Sequence, residues 1–239
     1  MFILLASGEF KKTESFFEVF VIEKLKQKAA GIAAEAVQDG QLIGVGSGST
    51  VNYFIDRLIQ RRQKERLRLK VAAASLESAR RLEKGGFELE DLNRLPALDV
   101  VFDGADLVDQ KGNLVKGRGG ALFREKMLFL QAKKIVVMVE GSKLKKGFLD
   151  FLLPVEVVPF GAEKTQSRLG FAGSFRKNSS QGLFQTDNGN LILDLKIPSR
   201  VNPKALEKRL KQTCGVVETG LFLGFHPQVI AVFASAKDG

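Results

Sequence analysis

VFDGADLVDQKGNLVKGRGGALFREK, residues Val101 to Lys126, reads as strand, acidic loop, short strand, glycine loop and helix. Apolar Val100, Val101 and Phe102 run into Asp103 and Asp106, which sets two carboxylates at the carboxyl end of a buried strand, where open α/β sheets keep their ligand sites. Lys116 precedes Gly117, Gly119 and Gly120, and Glu125 falls in the first turns of the next helix. Each residue alone has a plain structural reading: an Asp at a strand end caps a turn, a lone Lys is solvated, and a Glu in a first helical turn is favoured by the helix dipole. Together, two acids, an amine, exposed backbone N–H groups and a third carboxylate in one strand-loop-helix unit make a set suited to moving a proton on a polyol.

Upstream, residues 1 to about 18 are expected to form an N-terminal extension. Leu25, Ala29, Ile32, Ala33 and Val37 then recur at helical spacing, and Asp39-Gly40 ends that helix. LIGVG, Leu42 to Gly46, is a short apolar strand, and Ser47, Gly48, Ser49 and Thr50 lead into a helix carrying Tyr53, Phe54, Ile55 and Leu58. Strand, glycine turn and helix are the first half of a βαβ unit. In such a turn the glycines let backbone N–H groups approach an anion, and the helix points its positive end at the same place. No Lys precedes the Ser-Thr, so this is not a Walker loop, and on the pattern alone an ordinary tight turn serves as well. Lys70 to Ser75, Leu98 to Phe102 and Lys134 to Val139 read as further strands, the last nearly all apolar as in a parallel sheet covered on both faces, with Lys143 just past its end.

The pattern then changes. Pro154 to Pro159 reads as a strand, Ala162 to Leu169 as a helix, and Leu183 to Thr186 with Leu191 to Lys196 as a hairpin around Asp187-Asn188-Gly189-Asn190. Pro203 to Gln212 reads as a helix with Pro near its start, Val216 to Phe222 as a strand, and Val229 to Ala234 as a strand returning to the first domain. The expected fold is α/β: a doubly wound, mostly parallel, Rossmann-like sheet over residues 19–152 and 227–239, with a smaller α+β ferredoxin-like domain over 153–226.

Composition narrows the class. At 239 residues the chain can bury a substantial core, and no apolar run approaches the ~20 residues that cross a bilayer. The N-terminal MFILLASGEF lacks a basic start and meets Glu9 too early for a secretory signal, so a cytoplasmic protein with no membrane partner is expected. One cysteine, Cys214, excludes an intrachain disulfide, and with one histidine, His226, no zinc cluster is expected. A net charge of +10 suits an anionic partner. The densest basic run, RRQKERLRLK from Arg61 to Lys70, has no interleaved aromatics and reads as a solvated helix end, so nucleic-acid binding is not expected.

DGADLVD from Asp103, KGRGGAL from Lys116 and REK from Arg124 resemble the signature of type A ribose-5-phosphate isomerases. The resemblance continues with GVGSGST (Gly44 to Thr50), GSK (Gly141 to Lys143), PVEVVPF (Pro154 to Phe160), TDNGN (Thr186 to Asn190) and GVVETGLF (Gly215 to Phe222), and so covers roughly Leu25 to the C-terminus. It implies an isomerase of the pentose phosphate pathway that interconverts ribose 5-phosphate and ribulose 5-phosphate through an enediolate without a cofactor, as a homodimer or homotetramer. It makes Glu125 the base, Lys116 the stabiliser of the enediolate, and Asp103 and Asp106 the partners of the sugar hydroxyls, Asp103 also assisting ring opening. Ser47, Gly48, Ser49, Thr50, Lys26 and Lys143 would line the substrate end around the phosphate, with Gly104, Ala105, Gly117, Arg118 and Gly119 completing the binding surface. Leu107 stands where the family usually has Glu, Arg118 interrupts the glycine run, and Ala73 and Ala74 sit where Ser or Thr is common. The alternative is a non-catalytic sugar-phosphate sensor on the same scaffold, which would have no use for Glu125 together with Lys116.

Overall fold

The computed structural model describes residues 2–5, 15–147, 151–198 and 201–234. They fall into two compact units: Met1–Ala105 with Met127–Leu144 and His226–Gly239, and Asp106–Lys126 with Lys145–Phe225. The second unit thus takes in the hairpin and glycine loop that follow Asp103, as well as the segment expected for it. Met1 and residues 6–14 of the expected N-terminal extension lie outside the described residues, as do residues 235–239 of the returning segment.

The first unit holds a seven-stranded sheet in the order Phe2–Leu5, Gln228–Val232, Ile135–Glu140, Val100–Gly104, Leu42–Val45, Lys70–Ala73, Glu88–Leu89. Every pairing in it is parallel. Set the first strand aside and the order from the Glu88–Leu89 edge is the doubly wound 3-2-1-4-5-6, whose direction reverses between Leu42–Val45 and Val100–Gly104. The extension is therefore not featureless: Phe2–Leu5 adds an edge strand, and the first helix starts at Ser15, ahead of the expected boundary.

Alternation along the strands sorts the core. Ile43, Val45, Val100, Phe102, Val136, Met138, Ile230 and Val232 cluster with Leu25, Ala29 and Ala33 of helix Ser15–Glu35 and with Val51, Phe54, Ile55 and Leu58 of helix Ser49–Glu65. Gly44 looks to the other face, where a Cβ would lie 2.5 Å from Val101 and 3.5 Å from Leu128. Burial of all six residues of Ile135–Glu140 fits a strand covered on both sides. The basic run has structural work: the Arg61 guanidinium donates to Ala34 O and Val37 O at 2.6 and 2.8 Å, capping the end of the first helix. No helix among the described residues is long and apolar enough to cross a membrane.

The second unit is a four-stranded antiparallel sheet in the order Gly173–Phe175, Leu191–Ile197, Phe151–Val157, Val216–Thr219, with helices Ala162–Leu169 and Pro203–Lys211 as its crossings. That is the β-α-β-β-α-β order of a ferredoxin-like fold. Leu153, Val155, Val157, Leu193, Leu195 and Ile197 face the helices with Ala162, Leu169, Leu206 and Leu210. The alternate positions, Pro154, Glu156, Asp194 and Glu218, face away from them.

Two strand readings need correction. Leu183 to Thr186 forms no strand, its sheet-like pairing being limited to the isolated bridges Lys177↔Leu183 and Gln185↔Leu191. On the side away from Phe151–Val157, the partner of Leu191–Ile197 is Gly173–Phe175, whose GSF carries no apolar run to announce it. The turn signal at Asp187 to Asn190 is sound, since Thr186 N–H donates to Asn190 O and Gly189 N–H to Thr186 O, each at 2.9 Å. Likewise Val216 to Phe222 divides at Gly220 into Val216–Thr219 and Leu221–Phe222, the latter pairing with Leu114–Val115 of the hairpin begun by Leu107–Asp109. A Cβ at Gly220 would lie 2.3 Å from Lys116 O, so only glycine fits there.

Phe54 and Phe102 stack at 4.6 Å between centroids and are essentially unexposed, tying helix Ser49–Glu65 to the strand that ends in Asp103. Phe54→Ala should destabilise the protein by about 3–5 kcal/mol, measured as a lower midpoint in urea unfolding. A midpoint within error of wild type would contradict this packing.

Candidate active site

In the first unit the site residues gather at the reversal of strand order. Gly46 N–H continues the ladder to Phe102 O at 2.9 Å, and Ser47 N–H turns to Asp103 Oδ1 at 3.2 Å, which also accepts Gly104 N–H at 2.7 Å. Asp103 is fully buried, and a Cβ at Gly46 would stand 1.9 Å from its Cγ, so the loop approaches the carboxylate as only glycine allows. Behind the loop, Ser78 Oγ donates to Gly46 O at 2.7 Å and is itself held by Ser75, the N-cap of helix Leu76–Lys84. Gly48, at φ 94°, is the N-cap of helix Ser49–Glu65 and supplies no side-chain cap. The N–H groups of Ser49, Thr50 and Val51 have no acceptor inside the helix, the arrangement by which helix starts in general can meet an anion.

Lys26 and Lys143 are placed less directly. Lys26 Nζ donates to Glu23 Oε1 at 2.6 Å, and Glu23 also accepts from Tyr53 Oη at 2.8 Å, one turn beyond Thr50. The Lys26 bond, with a smaller contribution from Tyr53, holds the Glu23 carboxyl below its ordinary range against the opposing effect of burial. Lys143 lies 3.7 Å from Glu140, which also accepts Ser142 N–H and Oγ–H.

In the second unit, Lys116 Nζ and Glu125 Oε2 lie 3.3 Å apart with side chains only 3% and 4% exposed. Lys116 N–H donates to Gly220 O at 2.9 Å, and its ammonium sits 5.7 Å from the Phe222 ring centroid. The loop after it needs its glycines: Gly117 (φ 103°) packs against Leu122 and Pro154, and Gly120 (φ 82°) against Phe184. Arg118 N–H donates to Asp106 Oδ2 at 3.0 Å, bringing two expected site residues together, while Gly119 is exposed. The third aspartate of the motif is structural, for Asp109 accepts the N–H groups of Lys111 and Asn113 and caps the hairpin turn. Leu107, where Glu is usual, is 8% exposed and packs into the small unit's core.

The roles of the residues flanking Glu125 were not legible in the sequence. Arg124 donates to Asn188 Oδ1 at 2.8 Å and Asp187 O at 2.9 Å, fixing the TDNGN turn to the helix start. Buried Glu156 takes Thr186, Asn188 and Asn190 on one oxygen at 3.0, 3.2 and 2.9 Å. Lys126 donates to Glu218 Oε1, Thr219 O and Leu221 O at 2.9, 2.9 and 2.7 Å. Burial pushes the Lys126 ammonium below its usual range, and Glu218 pulls it back only in part. Burial alone would raise the Glu218 carboxyl, but Lys126, the Thr219 N–H and Lys211 outweigh it and hold it below its ordinary value.

A family model described as ribose 5-phosphate isomerase A (phosphoriboisomerase A) matches residues 70–237. Ribose-5-phosphate isomerase A 1 of Oceanobacillus iheyensis is 40% identical over 211 residues, 87% of this chain and 94% of that protein. The Deinococcus radiodurans enzyme is 39% identical over 223 residues, covering 91% and 96%. Among solved structures, ribose 5-phosphate isomerase from Plasmodium falciparum superposes with a TM-score of 0.83 at 30% identity, covering 90% of this chain and 95% of that one. A D-ribose-5-phosphate isomerase in complex with phospho-erythronic acid gives 0.83 at 31%, covering 89% and 95%.

Glu218 stands opposite Glu156 on the neighbouring strand, and Lys126, with Lys211, supplies the charge that lets Glu218 remain buried. Lys126→Met should cost about 3–5 kcal/mol, the usual penalty for stripping one partner from a buried pair, read in urea unfolding. Glu218 is depressed from an ordinary 4.5, so its share of stability is present above that value and is lost as pH falls through the depressed one. Glu218→Gln should therefore flatten the acid limb of a stability-against-pH curve, and an unchanged limb would contradict the assignment.

Proposed function

The chain belongs to the ribose 5-phosphate isomerase A family and interconverts D-ribose 5-phosphate and D-ribulose 5-phosphate in the pentose phosphate pathway, and from that premise we propose which of its residues do the chemistry. The observation that carries the assignment is the Lys116–Glu125 pair, a carboxylate and an ammonium 3.3 Å apart and almost wholly buried. Burying such a pair stabilises a fold little, because desolvation offsets most of the attraction, so its retention is better accounted for by chemistry. A sugar-phosphate sensor would have no use for it.

Glu125 takes the proton from C2 of the open-chain aldose and returns it to C1, while the hydroxyl proton passes from O2 to O1. Between the two transfers the charge sits on the enediolate oxygens, where the Lys116 ammonium is already in place and needs no reorganisation. Asp103, oriented by the Ser47 and Gly104 N–H groups, and Asp106, oriented by the Arg118 N–H, take the sugar hydroxyls. Asp103 also assists ring opening. The phosphate goes to Ser47, Gly48, Ser49 and Thr50 at the helix start, with Lys26 and Lys143 supplying positive charge and Gly104, Ala105, Gly117 and Gly119 supplying close backbone. A family relative has been solved with phospho-erythronic acid, a phosphorylated polyhydroxy acid of the class this assignment calls for. We assign the enzyme to the cytoplasm on the composition of its N-terminal stretch, and to a homodimer or homotetramer on the family resemblance; light scattering measures the latter.

Glu125→Gln keeps the size of the side chain but removes the base. Turnover should fall by roughly 10²–10⁴-fold or more with little change in affinity, and exchange of the substrate's carbon-bound hydrogen with solvent deuterium should vanish in parallel. Retention of most turnover would move the base elsewhere, with Asp103 first to test. Thr50→Val should chiefly raise KM, since binding lost equally from ground and transition states leaves kcat intact. A fall in kcat alone would contradict the phosphate assignment.

A further inference from the structure

Arg176 lies far from the motifs in sequence, yet it grips the loop that follows Lys116. Its Nη1 donates to Gly117 O at 2.8 Å and Arg118 O at 2.7 Å. The other edge of the guanidinium is locked: Nε donates to Asp194 Oδ2 at 2.9 Å and Nη2 donates to Asp194 Oδ1. Asp194 stands on the face of the small sheet turned away from its helices, in register with Pro154, against which Gly117 packs. A planar fork that spans a carboxylate on one side and two carbonyls on the other is a geometry only arginine offers, since a lysine ammonium can serve one side or the other.

The clamp acts on Asp106 through a single residue. Arg118 gives its carbonyl to Arg176 and its N–H to Asp106 Oδ2, so the peptide units that Arg176 fixes also set the direction of the Asp106 carboxylate. Lys116 depends on it much less, being held by Gly220 O at its own N–H and by Glu125 and Phe222 at its ammonium. We infer that Arg176 is a positioning residue for substrate binding: braced on Asp194, it holds the Gly117–Arg118 peptides so that Asp106 is aimed at the sugar hydroxyls. This rests on the reading of Asp106 as a hydroxyl ligand.

The test compares Arg176→Met, Arg176→Lys, Asp106→Asn and the Asp106→Asn/Arg176→Met double variant. Each is assayed for kcat and KM with ribose 5-phosphate, for the inhibition constant of inorganic phosphate, and for the thermal midpoint. Losing charge-assisted hydrogen bonds of this kind should raise KM roughly 10–100-fold in Arg176→Met, with kcat nearly kept and phosphate inhibition unchanged, because the phosphate loop is built from other residues. Arg176→Lys keeps the charge, so it carries the same test if the Met variant does not fold, and it too should show the raised KM. The double variant should bind no worse than Asp106→Asn alone, since the two act as one unit. A lowered thermal midpoint with unchanged KM would make Arg176 merely structural and overturn the proposal, as would inhibition by phosphate weakening in step with KM. If Asp106→Asn raises KM and neither Arg176 variant does, the clamp fails while the Asp106 reading stands; if Asp106→Asn leaves KM unchanged, that reading falls and takes the clamp with it.

Discussion

Carboxylates cannot be buried without cations or polar hydrogens to meet them, and in the smaller unit two buried carboxylates and one half-buried one sit on three adjacent strands of one sheet. Asp194, Glu156 and Glu218 all point away from the helices that cover the other face. Each is answered by a different part of the chain: Asp194 by Arg176, Glu156 by the amides and hydroxyl of the 186–190 turn, and Glu218 by Lys126 and Lys211. Those partners in turn hold the segment from Lys116 to Lys126. Arg176 holds the carbonyls after Lys116, Arg124 bonds the turn that Glu156 organises, and Lys126 neighbours Glu125. Polar satisfaction on one sheet face thus fixes the backbone and turns around the Lys116–Glu125 ion pair.

In the larger unit the governing constraint is topological. A parallel sheet that reverses its strand order leaves a crevice at the carboxyl ends of two neighbouring strands, and both Gly46 and Asp103 lie there. The contact between them explains the glycine better than any general need for flexibility, since even one methyl group would occupy the position of the carboxylate. Ser75 and Ser78 then support the Gly46 carbonyl from behind. The positive end of helix Ser49–Glu65 is left facing outward with no side-chain cap.

How much of this could be read in the sequence followed from whether the signal was local. Five of the seven parallel strands were legible because burial writes apolar runs, as in Ile135–Glu140, while the edge strands Phe2–Leu5 and Glu88–Leu89 were not. The strand Gly173–Phe175 was not, since its place is set by pairing with Leu191–Ile197 rather than by its own composition. The site divides the same way. Lys116 and Glu125 stood in motifs with chemical sense, and the fold sets them 3.3 Å apart. Arg176, Glu156 and Lys126 acquire meaning only through partners tens of residues away, for which no local pattern exists.

Two of the departures from the family pattern, Leu107 and Arg118, can be understood on the same terms. Leu107 replaces a usual Glu, but its side chain enters the apolar core of the smaller unit beside Val115 and Leu153, where a hydrocarbon is the cheaper occupant. Arg118 replaces a glycine without breaking the loop, because the strained positions are elsewhere: Gly117 and Gly120 take positive φ, and residue 118 does not. What position 118 contributes is its backbone, an N–H to Asp106 and a carbonyl to Arg176, and any residue with an ordinary φ supplies both. The arginine side chain is exposed, so the substitution adds a positive charge to the surface of the loop while leaving its internal hydrogen bonding intact. Identity at 118 is therefore open to change in a way that identity at 117, 120 and 220 is not, since those three positions are closed by φ, by packing, or by the Lys116 carbonyl itself.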